Sequence, residues 1–149
     1  MHEEVGRVAR VMGLDLGTRR IGVAMSDELG LTARGVCVVD RGGARRDLDR
    51  LRALARQYEA GRVVVGLPLG LSGEAGQAAR DATAFAGRIG AALGLPVEMW
   101  DERLSTVAAE RAMLEADLSR ARRRKAIDAV AAAYMLQGYL DRARGRPAQ

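Results

Sequence analysis

The chain has 149 residues and a mass of 16.0 kDa, and its 48% apolar and 29% charged residues suit one packed domain rather than wholesale disorder. Its 24 lysines and arginines, all arginine but Lys125, exceed 19 acids for a net charge of +5, a balance suited to polyanions because arginine's planar fork bonds phosphate oxygens in pairs. The longest mostly apolar run, Ala129 to Leu136, falls far short of the roughly 20 residues that cross a bilayer, no apolar signal segment opens the chain, and Cys37 is alone, so a cytoplasmic protein with no membrane partner is expected.

From Val8 to Met25 the sequence reads as two short strands around a turn, with Val11, Met12, Leu14 and Leu16 before Gly17-Thr18-Arg19-Arg20 and Ile21-Gly22-Val23-Ala24 after it. A third strand follows at Gly35 to Val39, and antiparallel order is expected for the three. After Gly42-Gly43, Leu48, Leu51, Leu54 or Ala55, and Tyr58 recur at helical spacing, with Arg45, Asp49, Arg52 and Arg56 on the other side. Arg62 to Gly66 is a short apolar run that ends in Gly66-Leu67-Pro68, as a buried parallel strand does. The next helix starts near Gly76, carries an inner stripe of Ala78, Ala82, Phe85, Ile89 and Leu93, and stops at Gly94 and Pro96. Pro96 to Asp101 is a strand, and helices are expected from about Ser105 to Glu115 and from about Arg123 to Leu140. Residues 1–7 and 143–149 read as loose ends of a single domain. Three strands in hairpin order followed by alternating strand and helix predict an α/β fold, a five-stranded mixed sheet with helices on both faces.

Three acids stand out against this frame. Asp15 lies in an apolar strand between glycines, where a carboxylate needs a cation, hydrogen bonds or a metal to offset lost hydration. Bonds from the Thr18 turn are the plain alternative. Asp101 and Glu102 end the strand begun at Pro96; because side chains alternate, one faces the site while the other caps the helix at Ser105 or pairs with an arginine. Asp128 is the one acid between Asp117 and Asp141, in a helix otherwise made of alanine, isoleucine and valine. A first-turn aspartate meeting the helix dipole is the competing account of it. The Arg122-Arg123-Arg124-Lys125 run before it could hold a phosphate at the helix's amino end.

Three carboxylates on separate elements, flanked by cations, suit Mg²⁺ or Mn²⁺, and a pair of such ions can hydrolyse a phosphodiester. Asp15, Glu102 and Asp128 are therefore the candidate catalytic residues and metal ligands. Asp101, Thr18, Ser105 and Thr106 are candidates for a supporting role. Arg19, Arg20, Arg103, Arg122, Arg123, Arg124 and Lys125 are the candidate nucleic-acid contacts. Other chemistries lack their residues: one terminal histidine, His2, and one cysteine make neither a zinc site nor a Cys-His pair. The Gly66 to Gly73 stretch lacks the Gly-Lys-Ser/Thr ending of a phosphate loop. Trp100 and Phe85 read as core residues rather than base-stacking platforms.

Four stretches in order, Gly13-Leu-Asp-Leu-Gly-Thr-Arg-Arg-Ile-Gly-Val-Ala24, Val64-Val-Gly-Leu-Pro-Leu69 with Gly73, Asp101-Glu-Arg-Leu-Ser-Thr106 and Lys125-Ala-Ile-Asp-Ala-Val-Ala-Ala132, resemble the YqgF-type proteins. That family is described as Holliday junction resolvases and as pre-16S rRNA nucleases. The resemblance runs nearly end to end and implies an RNase H-like fold, with acidic positions at Asp15, the Asp101-Glu102 pair and Asp128; of the pair, Glu102 is favoured. It also implies divalent metal, a cytoplasmic bacterial protein and trimming of the 5′ end of the 16S rRNA precursor. Ala33-Arg34-Gly35 stands where family members often have a proline, and Leu71-Ser72 replaces a more polar pair; both departures leave the acids intact.

The leading expectation is a metal-dependent nuclease acting on structured RNA. Resolution of branched DNA junctions is the nearest rival: a two-fold homodimer would favour it and a monomer would favour RNA trimming. A non-catalytic RNA-binding role in ribosome assembly is a third. Asp-Leu-Gly-Thr also occurs in the phosphate-binding turns of sugar kinases and actin-like ATPases, but 149 residues supply one lobe where those proteins need two.

Overall fold

The structure, a computed structural model, describes residues 9–67, 76–101 and 120–145, and for 120–127 the course of the backbone alone. Strands β1 (Arg10–Leu16), β2 (Arg20–Ser26) and β3 (Ala33–Asp40) precede helix α1 (Ala44–Gln57), β4 (Ala60–Leu67), α2 (Gln77–Leu93), β5 (Val97–Asp101) and α3 (Arg120–Ala143). The sheet order is β3-β2-β1-β4-β5. Its first three strands in sequence are antiparallel neighbours, and β4 and β5 run parallel to β1, as the hairpin followed by apolar crossover strands predicts.

β1 is central, and Val11 to Leu14 are all buried, so both faces of the sheet must be covered. Alternation along the strands sorts the side chains into two cores. Met12, Leu14, Ile21, Val23, Val63 and Val65 pack under Leu48, Leu51 and Leu54 of α1 and Phe85 and Ile89 of α2. Val11, Ala24, Val64 and Trp100 pack on the other face under Ala131, Ala132, Met135, Leu136 and Leu140 of α3. Each side chain of this size, fully buried, contributes about 1.5–3 kcal/mol. The face toward α3 is the shallower one. A Cβ on Gly22 would overlap the carbonyl oxygen of Asp128, and one on Gly35 would lie 2.8 Å from the carbonyl oxygen of Ala129. Glycine at both positions lets α3 lie almost on the backbone of β2 and β3.

Both helices after the hairpin follow their expected stripes with one change. Leu48, Leu51, Leu54 and Ala55 are buried on α1, and α2 stops at Gly94, in the left-handed region at φ 68°, whose N–H bonds the carbonyl of Gly90 at 2.9 Å. Ala78, expected on the inner stripe of α2, is exposed, and Ala79 takes its place. The buried face is centred on Ala82, Phe85, Ala86 and Ile89, so one turn back from Ala82 the inward position is reached by three residues rather than four. α3 starts three residues before its expected first residue and runs three past its last. Arg144, in the tail expected to be loose, donates Nη1 to the carbonyl of Gly30 at 2.5 Å and Nη2 to Asp141 at 2.8 Å, tying the helix end to the β2–β3 turn. The helix expected over Ser105 to Glu115 lies outside the described residues. Among the described residues no helix is long and apolar enough to cross a membrane.

Candidate metal and nucleic-acid site

Asp15 stands one residue before the end of β1, half-buried, on the face that α3 covers. Its cross-strand partner on β2 is Gly22. Directly opposed antiparallel residues place their Cβ positions about 5 Å apart, and Gly22 is where the backbone of Asp128 comes down on the sheet. Two of the three expected acids, one from the first strand and one from the last described helix, are thus neighbours on one face.

Asp101 falls on the opposite face. Trp100 belongs to the core under α3, whereas Val97 and Met99 pack against the core under α1 and α2, and alternation carries Asp101 to the side of Met99. Asp101 is therefore not beside Asp15. Glu102, Arg103, Ser105 and Thr106 lie outside the described residues, as do the side chains of Arg122, Arg123, Arg124 and Lys125. Among the described residues no group of three or more His, Cys, Asp and Glu side chains is placed to hold a metal ion.

Arg20, expected as a phosphate contact, is turned inward. Its Nε donates to Oδ2 of Asp128 at 2.6 Å, across 108 positions of sequence, with the two side chains 26% and 25% exposed. The contact is charge-assisted and partly shielded, so it exceeds an ordinary surface pair in strength. It also tests what this spot accepts: two carboxylates supply hard oxygen donors, and the place already draws a cation. Carboxylate oxygens are the hard donors that Mg²⁺ and Mn²⁺ take.

The turn beside the acids is held from behind by a residue the sequence reading missed. Gly17 N–H bonds the carbonyl of Arg20 at 2.8 Å and closes the turn, leaving Thr18 and Arg19 exposed at its tip. Arg41 then clamps it: its backbone N–H bonds the carbonyl of Arg19 at 2.8 Å and its Nη1 bonds that of Gly17 at 2.8 Å. The Arg41 guanidinium lies 5.0 Å from the ring centroid of Phe85, and its Nε is 3.7 Å from Oδ2 of Asp47. Asp47, 2% exposed, also accepts the Gly42 N–H through Oδ1 at 3.0 Å, in the first turn of α1 where the helix dipole favours an anion. Phe85 and Trp100 are core residues as expected, and Trp100 meets Tyr139 edge to face at 5.7 Å between centroids.

The opposite end of the sheet carries a different cluster. Arg62 pairs with Glu98, and the Tyr139 hydroxyl donates to the same carboxylate at 2.8 Å. Burial, followed by that bond to Glu98, pushes the Tyr139 phenol above its ordinary range.

Sheet order, helix placement and strand register define an RNase H-like α/β domain. Consistent with this, the structure of Thermus thermophilus RuvC in complex with Holliday junction substrate superposes with a TM-score of 0.54 at 19% identity, covering 92% of this chain and 96% of that one. A second structure of the same protein gives 0.53 at 17% identity. The chain belongs to the RuvX family, whose model, described as Holliday junction resolvase, matches residues 9–142. Among its relatives are a Symbiobacterium thermophilum protein, 56% identical over 93% of this chain and 96% of its own length, and a Myxococcus xanthus protein, 55% identical over 89% and 87%. Both carry the name "Putative pre-16S rRNA nuclease".

Proposed function

We propose that this protein is a divalent-metal-dependent nuclease that hydrolyses phosphodiester bonds in structured RNA and trims the 5′ end of pre-16S rRNA in the cytoplasm. The observation that carries the proposal is the meeting of Asp15 and Asp128 across Gly22, two acids from opposite ends of the chain on one face of the sheet. Names carried by relatives more than half identical supply the substrate.

Asp15 and Asp128 are the metal ligands on the described elements, and Glu102 is the third. Asp101 falls on the other face of the sheet, and of the pair the family resemblance favours Glu102. When bound, Mg²⁺ or Mn²⁺ supplies Lewis acidity and a nucleophilic water at neutral pH, a two-ion arrangement serving both sides of the displacement. The protein's part is to fix the carboxylates on rigid elements and to meet the phosphate backbone with cations. Arg19 at the turn, Arg103, and the Arg122 to Lys125 run at the amino end of α3 are those cations.

Junction resolution is the second reading, supported by the description of the family model. One experiment separates the two. Purified protein with Mg²⁺ is given a pre-16S 5′ precursor RNA and a four-way DNA junction, alongside Asp15→Asn. Cleavage of the RNA by the wild type alone is the expected result. Cleavage confined to the junction, by a dimer, would replace the RNA assignment, and equal activity in the two proteins would end the nuclease proposal.

A further inference from the structure

Arg20 holds Oδ2 of Asp128 through Nε, so a divalent cation on the same carboxylate would lie close to a fixed positive charge. We propose that Arg20 is the resident counter-cation of the acid cluster, and that it gives up Asp128 when a divalent cation binds and moves to Asp40. This inference rests on the reading of Asp15 and Asp128 as metal ligands.

Two carboxylates gathered on a half-covered face repel each other, and a chain that folds before it meets metal needs an internal positive charge there. Arg20 supplies one from the first residue of β2. Its backbone is committed, since its carbonyl accepts the Gly17 N–H at 2.8 Å and the residue pairs with Asp40 in the ladder. Only the side chain can respond.

Three features make the contact exchangeable. It is a single bond through Nε, 2.6 Å long, rather than the two-pronged fork arginine uses for lasting carboxylate pairs. Both partners are a quarter exposed, so water reaches the guanidinium as it leaves. A second seat is also close: Asp40, exposed at the end of β3, is the cross-strand partner of Arg20, and such partners hold their Cβ atoms about 5 Å apart on the same face. Staying on Asp128 would be unfavourable, because a unit charge about 4 Å from a dication weakens binding by roughly tenfold or more even at the dielectric of water.

Mn²⁺ titration calorimetry on the full chain tests the exchange without any activity readout. Arg20→Gln, which removes the competing charge, binds Mn²⁺ roughly tenfold more tightly than the wild type, while Arg20→Lys, which keeps it, stays within about threefold. Asp40→Asn, which removes the second seat, binds less tightly. An Arg20→Gln protein that binds Mn²⁺ no better than the wild type overturns the competition, and an unchanged Asp40→Asn overturns the role of Asp40. Asp15→Asn and Asp128→Asn separate this from the reading beneath it. If both lose Mn²⁺ and Arg20→Gln gains nothing, the exchange alone fails; if both bind Mn²⁺ like the wild type, the ligand assignment fails.

Discussion

Gly22 lies directly beneath the carbonyl oxygen of Asp128, with no room between them for so much as a methyl group. This one approach seats α3 on the sheet and brings Asp128 to Asp15, so fold stability and site geometry share a residue.

Replacing Gly22 with alanine should therefore cost both. The obstructing atom is backbone, which cannot rotate away as a side chain would, and the overpacking penalty is expected near the upper end of its usual range, roughly 3 kcal/mol. Urea denaturation measures it. Gly87→Ala is the control: Gly87 sits exposed in α2 with nothing within 4 Å of an added Cβ, and alanine there should stabilise by about 0.5–1 kcal/mol.

Arg41 and Asp47 form the clamp behind the β1–β2 turn, and the two should be coupled. Asp47→Ala leaves the Gly42 N–H and the Arg41 guanidinium without their buried acceptor and should cost about 2 kcal/mol. Arg41→Ala should cost about 1–2 kcal/mol through lost bonds to Gly17 and lost contact with Phe85. A double-mutant cycle should return a coupling energy of at least about 0.5 kcal/mol; strict additivity would show that the clamp does not act as a unit.

Much of this was legible in the sequence, and what was not has a common cause. Strands β1, β2 and β4 were readable because β-branched and apolar runs between glycines have few other fates. Asp15 and Asp128 were readable because a lone acid in an apolar stretch calls for an explanation wherever it occurs. Asp47 was invisible: on a helix dense in arginine it looks like another solvated charge, and its burial depends on Arg41 and Gly42 folding back over it. The inward turn of Arg20 was equally hidden, since its partner is 108 residues away and the neighbouring run of arginines suggested phosphate for all. The face of Asp101 was hidden because it depends on which core Trp100 enters, and Trp100 is flanked by residues that would suit either face.

Arg19 is exposed at the tip of the turn and is expected to meet phosphate without helping the fold. Arg19→Ala should leave the melting temperature unchanged, weaken RNA binding similarly for different sequences, and reduce the slope of log K against log salt by about 0.7–0.9. An unchanged slope would remove Arg19 from the interface.

The β2–β3 turn should respond to acid. Its slight burial opposes ionisation of Asp27, but the N–H groups of Leu31 and Thr32, bonded to Oδ1 at 2.7 and 3.2 Å, prevail and hold the carboxyl below its ordinary range. A depressed carboxyl contributes stability above its unfolded value, near pH 4, and loses it as pH falls through the folded value. Asp27→Asn should therefore melt lower than the wild type at neutral pH, and the gap should close below about pH 4. A gap that is constant with pH would show that the charge is not what caps the turn.

The account depends most on where a divalent ion settles. A crystal soaked in Mn²⁺ and measured at the manganese edge should show an anomalous peak between the carboxylates of Asp15 and Asp128, with the Arg20 guanidinium withdrawn from Oδ2. A peak elsewhere on the protein, or no peak while Arg20 keeps its bond to Asp128, would contradict it.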